Sequence, residues 1–440
     1  MFKNIYKTSA IITVSLFIFF VFLNIFLGAV FFIKDHIKNV HAYTNSKQLF
    51  TEDGKPVQNG KRNAYQLDFF DFNACKEIGE QYASDVLDDF YELDSKGLSA
   101  SPRTKFYFSN FHGEKVNIVL SEKGFPHRKT INPERSNNKP IIRIYTLGNS
   151  TTSGFFVSDE HTWPSFLSRI LNDRAKRAGK PYSIEVTNFG RAGDYPGQEA
   201  LLVFDLLRNG FRPNLLIFLD GYNTQSYEDY VPTFTSKIAD EFLSCYYYGN
   251  CNLKLLLPQI LKKLPVNRLT LLVKNKFLNK SIEPVSISSG NSTLEEDVKR
   301  VLNHYEQNRK LIKAVCSAYG AETLFFLQPH PLYKYNLGLF RDNLKEQFSS
   351  DKEEIAFVGS YYEALRKNSK YIDFSNLYPE WGINKKVYID DYHYSPAFNK
   401  FLAEKIAKHI DLDKLDLVPE IFDESKTYHT VRFKEINNLL

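Results

Sequence analysis

The stretch Leu147-Gly148-Asn149-Ser150-Thr151-Thr152-Ser153-Gly154 closes a mostly apolar run, Ile141 to Leu147, and its reading decides the fold. A short apolar run bounded by glycine and serine reads as a strand buried on both faces, the pattern of a parallel sheet. A serine between glycines at the end of such a strand sits at the carboxyl edge, where open α/β sheets bind ligands. By itself the pattern also fits a strand-to-helix turn in which Ser or Thr caps the helix.

Working outward, three more blocks follow: Asn188-Phe189-Gly190-Arg191-Ala192-Gly193, then Asp220-Gly221-Tyr222-Asn223 after the apolar run Leu215 to Leu219, and finally Asp390-Asp391-Tyr392-His393 ahead of a helix-like run, Pro396 to Ile410. Nucleophile, glycine turns, amide and Asp-x-x-His occur in an order that converges on one sheet edge. The chemistry needs these types. A serine hydroxyl is a poor nucleophile until an imidazole takes its proton, and a carboxylate fixes the tautomer of that imidazole. A tetrahedral oxyanion needs preorganised N–H donors. Each residue also has a plainer reading: His393 as a polar residue of a helix-entry loop, Gly190 and Gly193 as turn glycines, Asn223 as a turn asparagine, and Asp391 as a solvated loop residue.

The four blocks resemble the SGNH hydrolases, the GDSL esterase and lipase family, over roughly residues 115–412, with Trp163-Pro164 at the spacing often seen there. The resemblance implies a three-layer α/β/α sandwich with a parallel, flavodoxin-like sheet. It implies Ser150 as nucleophile, His393 as base, Asp390 as its orienter, and Ser150, Gly193 and Asn223 as the oxyanion hole, with no metal and no cofactor. Two positions depart from the commonest pattern: Asn149 and Thr224 stand where aspartates are usual. The first puts in question only the hydrogen bonding that braces the nucleophile turn. The implied activity is cleavage of carboxylic esters through an acyl-enzyme, with O-acetyl groups on cell-envelope carbohydrate as the first choice and acyl-lipids also allowed. An O-acyltransferase acting on an envelope polysaccharide, or an inactive binding protein of the same fold, are the alternatives.

The amino terminus carries no charge from Thr8 to Ile33, longer than the roughly 20 apolar residues that span a bilayer. Lys34-Asp35-His36 follows directly, and the best cleavage candidate, Val40-His41-Ala42, lies too far downstream for a secretory signal. The chain therefore reads as a cytoplasmic tail (1–8), a signal anchor (9–33), an extracytoplasmic lead (34–138), a hydrolase domain (139–412) with an insert (225–293), and a tail (413–440). Lys3 and Lys7 on one flank face Lys34, Lys38 and Lys47 on the other, so the charge count alone does not orient the helix. The catalytic domain is placed outside the cytoplasm, as in the anchored members of the family.

Strands are expected near 141–147, 184–188, 215–219, 322–328 and 371–374. Helices are expected near 71–93, 162–178, 197–209, 295–318, 352–367 and 396–410, and residues 132–140 read as a linker. With 56 basic and 51 acidic residues the net charge is only +5, and the lysines lie scattered without an aromatic-interleaved groove, so nucleic acid is not expected as a partner. Cys245 and Cys251 bracket a short loop that an oxidising compartment would allow to close, Cys316 reads as a core thiol, and no spacing resembles a zinc site. His330, between prolines, reads as a loop residue near the site. The insert beside Asn223 reads as either a cap over the active-site edge or a surface elaboration.

Overall fold

The computed structural model describes residues 12–31, 71, 74, 80–95, 99–100, 106–107, 110–134, 139–221, 223, 264–266, 269, 293–340, 342–350, 352–367 and 370–415. Thr224, Cys75, Cys245, Cys251, the 40–42 segment and most of the insert lie outside them. The chain divides into two compact units, residues 1–70 with 229–294, and residues 71–228 with 295–440.

In the first unit, helix α1 (Ile12–Phe31) is long and apolar enough to cross a membrane. Most of its surface is bare. Val266 N–H donates to Asn24 Oδ1 at 3.2 Å.

The second unit begins with α2 (Glu80–Ser95), a two-residue ribbon of β1 (Ser99–Ala100) and β2 (Phe106–Tyr107), and three short strands, β3 (Phe111–His112), β4 (Asn117–Leu120) and β5 (Pro126–Arg128). The alternating units follow: β6 (Ile141–Gly148), α3 (Ser150–Ser153), α4 (Trp163–Arg177), β7 (Ser183–Asn188), α5 (Pro196–Arg208), β8 (Leu215–Asp220), α6 (Leu294–Ala318) and β9 (Glu322–Leu327). The unit ends with α7 (Asp342–Ser350), α8 (Lys352–Arg366), β10 (Ile372–Asp373), α9 (Tyr378–Trp381) and α10 (Pro396–Lys408). Every residue of β8 is buried, as a strand covered by helices on both faces requires.

The main sheet runs β10-β9-β8-β6-β7-β5-β4-β3. The five strands from β10 to β7 are parallel, as the apolar runs predict, and β6 lies between β7 and β8 in register Thr146↔Asn188 and Thr146↔Ile217. The expected strands and helices form within two residues of their predicted ends, apart from the start of the first helix, whose described residues begin at Glu80. The sheet is wider than expected, because residues 111–128 of the lead add β3 to β5, antiparallel, on the β7 side. These strands are too short to announce themselves by alternation. What seats them is a buried ion pair: Arg128 Nε meets Asp159 Oδ1 at 2.7 Å, with side chains 1% and 7% exposed. Arg128 Nη2 also donates to Val157 O at 2.8 Å, and the amide of Asn117 donates to Asp159 Oδ2 at 2.7 Å.

The segment 407–412, at and after the end of α10, closes on α4 and on Tyr182. Arg174 donates to the carbonyls of Ala407 and Ile410, and Tyr182 Oη to Leu412 O at 2.9 Å. Asn399 Nδ2 reaches back to His161 O at 3.1 Å. Cys316 is fully buried in α6, as its apolar stripe predicts.

A buried guanidinium stripped of its carboxylate is costly, typically about 3–5 kcal/mol. Asp159→Ala is expected to lower the unfolding free energy by roughly that amount, and the double variant Arg128→Met with Asp159→Leu to recover most of it, in denaturant titrations of the purified chain. Single and double variants losing equal stability would contradict the argument.

Candidate active site

Parallel pairing puts the ends of β7, β6, β8 and β9 on one edge, so the turns at 149–150, 189–193, 221–223 and 328–330 share that edge. Ser150 is the first residue of α3. Asn149 caps this helix, its Oδ1 accepting from Thr151 N–H at 3.0 Å and from Thr151 Oγ1 at 2.7 Å. The asparagine in place of aspartate thus still braces the turn. Thr151 Oγ1 also lies 2.8 Å from the Gln328 side chain. One hydroxyl proton serves one acceptor, so the second contact is made by the Gln328 amide turned to donate its otherwise unpaired Nε2.

The second block is pressed against the first. A Cβ on Gly190 would come within 2.5 Å of Ser153 N, Asn188 Nδ2 donates to Thr152 O at 2.8 Å, and Arg191 N–H to Gly148 O at 3.0 Å. Gly193 follows with φ 73°. Asn223 Nδ2 spends one hydrogen on Asp194 O at 3.0 Å, which joins the third block to the second. Among the described residues, the backbone N–H groups of Ser150 and Gly193 meet no acceptor, and Asn223 keeps its second amide hydrogen.

His393 sits in a turn closed by Ile389 N–H to His393 O (2.8 Å) and by the Tyr388–Tyr394 bridge, with Tyr394 Oη bonded to Pro329 O at 2.9 Å beyond β9. Asp390 Oδ2 meets His393 Nδ1 at 2.6 Å while its Oδ1 accepts the N–H groups of Tyr392 and His393 at 2.9 and 2.6 Å. The carboxylate therefore holds the proton on Nδ1 and leaves Nε2 with its lone pair. Burial works to keep the imidazole neutral; the Asp390 charge and hydrogen bond, with Asp391 behind them, outweigh it and hold His393 above its ordinary value of 6.5. Asp391 is not the solvated residue the sequence suggests: half-buried beside Asp390, its carboxyl is pushed up by burial and then by that charge to about 7.

Ser150 Oγ is half-buried and makes no hydrogen bond among the described residues. Phe155 links it to His393: its N–H donates to Ser150 O at 3.1 Å and its ring stacks on the imidazole, centroids 5.3 Å apart. Phe156 meets the imidazole edge-on at 5.4 Å and holds φ 59°, a strained conformation for an aromatic residue. Phe90 of α2 packs on both rings at 5.1 and 5.3 Å, so the lead region backs the histidine. His330 is fully buried, its Nδ1 accepting from Leu332 N–H at 3.0 Å, and burial pushes it down to about 3. It braces the loop after β9.

Sequence reasoning missed a buried acid pair behind these turns. Glu199, in the first turn of α5, and Asp220, the last residue of β8, are 1% and 4% exposed. Among the described residues no donor reaches either Glu199 oxygen, and the Asp220 carboxyl lies at hydrogen-bond reach, so the two are joined only when one carries a proton. Tyr305 Oη donates to Asp220 Oδ2 at 3.2 Å. Burial first, then mutual repulsion and Asp194, lifts Glu199 well above the usual carboxylate range; burial lifts Asp220 to about 7. Nothing in the pattern of Pro196 to Arg208 marks Glu199 as facing inward.

No family model matches the chain, and no curated protein does. Solved structures do. A member of the lipolytic G-D-S-L family from Veillonella parvula is 9% identical, covering 61% of this chain and 97% of its own, with a TM-score of 0.32. The acetyl xylan esterase AlAXEase is 14% identical over 61% of this chain and 100% of its own, TM-score 0.31. An acetyl xylan esterase from Geobacillus stearothermophilus is 9% identical over 63% and 95%, TM-score 0.29.

The acid pair has a measurable consequence. A folded-state pKa raised above the ordinary Asp value means that the folded chain holds more protons between about 4 and 7, so stability falls as pH rises through that window. Asp391 contributes in the same direction. Glu199→Gln should remove the shared proton and flatten part of the fall, read as the difference between the two chains' midpoints of thermal unfolding at pH 5 and pH 8. Equal pH dependence in both chains would exclude the shared proton.

Proposed function

We propose that the chain is a serine ester hydrolase anchored in a membrane by α1, with the hydrolase domain outside the cytoplasm and O-acetyl groups of envelope carbohydrate as its substrate. The observation that carries the catalytic reading is the His393–Asp390 pair at 2.6 Å, on a sheet edge that also presents the uncommitted N–H groups of Ser150, Gly193 and Asn223. The substrate reading rests on the tether: an enzyme held at the envelope meets its acetyl esters at high local concentration.

In this reading Ser150 Oγ attacks the ester carbonyl as His393 Nε2 takes its proton, and Asp390 stabilises the imidazolium. The three N–H donors receive the oxyanion. The tetrahedral species collapses, His393 returns the proton to the leaving alkoxide, and an acyl-Ser150 remains. Water, deprotonated by His393, then attacks the acyl group; the Oγ–acyl bond breaks as His393 returns that proton to Ser150 Oγ, and the carboxylic acid leaves. Stacking of Phe155 on the imidazole keeps bulk water from one face of the base, and Asn149 holds the turn that carries the nucleophile.

Ser150→Ala is expected to abolish both cleavage of an aryl acetate and labelling by a fluorophosphonate. Survival of either would end the assignment. Because His393 must be neutral to accept the proton, kcat/KM should fall as pH drops through a value above 6.5. Asp390→Asn should move that limb to lower pH and cost several powers of ten in kcat, whereas Asp391→Asn should leave most activity. A larger loss at Asp391 would mean that the orienting acid is misassigned. Protease added to cells with a permeable outer layer should reach the hydrolase domain, and its full protection would reverse the topology.

A further inference from the structure

Within the first unit, described residues of the insert meet the anchor helix. In the first unit Val266 N–H donates to Asn24 Oδ1 at 3.2 Å, and a Cβ built on Gly28 would lie 3.6 Å from Pro265 Cγ. Elsewhere α1 is bare: Phe17, Phe22 and Phe26 are 66%, 67% and 65% exposed, whereas Leu27 and Phe31 are buried. Asn24, Leu27, Gly28 and Phe31 follow the i, i+3, i+4, i+7 spacing of one helix face. The covered face and the contacted face are the same.

We propose that residues 264–266 of the insert dock on this face of α1 and enter the phospholipid bilayer beside it, making the insert a second membrane contact of the chain. The inference rests on α1 lying in the bilayer and is independent of the esterase reading. At about 1.5 Å per residue, Gly28 and Asn24 lie roughly 4 and 10 Å inside the Phe31 end of the helix. A segment touching them sits at that depth. The contacts fall in the half of α1 from which the chain runs on to the insert, so both ends are on one side of the membrane.

The polar chemistry fits such a place. An amide inside an apolar span is costly unless paired. Asn24 Nδ2 donates to Phe20 O at 2.9 Å, leaving Oδ1 for Val266 N–H, and Pro265 brings no N–H that would need a partner. The sequence around the contact interleaves Leu255-Leu256-Leu257, Leu264, Leu269 and Leu271-Leu272-Val273 with Lys254, Lys262, Lys263, Arg268 and Lys274. Apolar residues among lysines and arginines are the composition of a segment lying in an anionic lipid interface.

The test uses the full chain in vesicles of phosphatidylethanolamine and phosphatidylglycerol, carrying a photoreactive benzoylphenylalanine at position 19, 201 or 269. Adducts with phospholipid acyl chains are expected at 19 and 269 and not at 201, an exposed position of α5. Adducts at 19 without any at 269 overturn the proposal; adducts at neither overturn the anchor itself. Asn24→Cys combined with Val266→Cys should form an oxidative cross-link in the same vesicles, and its absence overturns the docking. Asn24→Leu should lower lipid labelling at 269 several-fold while labelling at 19 persists; unchanged labelling at 269 removes Asn24 from the contact.

Discussion

The approach of Gly190 to the first turn of α3 is the constraint on which the rest of the edge depends. A methyl group there would meet Ser153 N at 2.5 Å, and only a bare backbone lets the second turn lie flush on the turn that carries Ser150. Overpacking of this kind costs typically 1–3 kcal/mol. Arg191 N–H on Gly148 O and Asn188 Nδ2 on Thr152 O then lock the two turns together, and Asn223 is tied to the second through Asp194 O. Three donors from three strand ends are placed by backbone contacts and by two short asparagine amides, without long side chains that would lose entropy on ordering.

Electrostatics at this edge run in two directions. In front, Asp390 stabilises charge on His393, as the proposed reaction would require. Behind, Glu199 and Asp220 cannot both ionise, so one proton ties α5 to the end of β8. The first arrangement gains from a fixed carboxylate and the second from a missing one. They coexist because the rear pair is buried, with Tyr305 bonded to Asp220, while Asp390 spends its lone pairs on two backbone N–H groups and the imidazole.

Much of this was legible in the sequence. The run at 215–219 lies in a strand buried throughout, and the mostly apolar run at 141–147 in one buried from Ile144 onward. Asp390 and His393 are brought together because Asp-x-x-His in a tight turn leaves the carboxylate only one near cation. The short strands β3 to β5 were not legible, since two to four residues carry no period and their seat depends on Arg128 finding Asp159 thirty-one residues on. Nor was Glu199, whose inward position depends on a partner at the end of β8. His330 read as a loop residue near the site because flanking prolines mark a turn; sequence has no signal for how deeply a turn is packed.

The closure of α10 on α4 bears on biosynthesis. Arg174 waits for the carbonyls of Ala407 and Ile410, and His393 follows Ser150 by some 240 residues. In a chain made from its amino end at roughly 5–20 residues per second, the proposed nucleophile precedes its proposed base by tens of seconds. Through that interval Ser150 is an ordinary alcohol. In the proposed reading an incomplete or stalled copy would therefore be chemically silent, and reactivity would arrive only once the segment from Asp390 to Ile410 has been made.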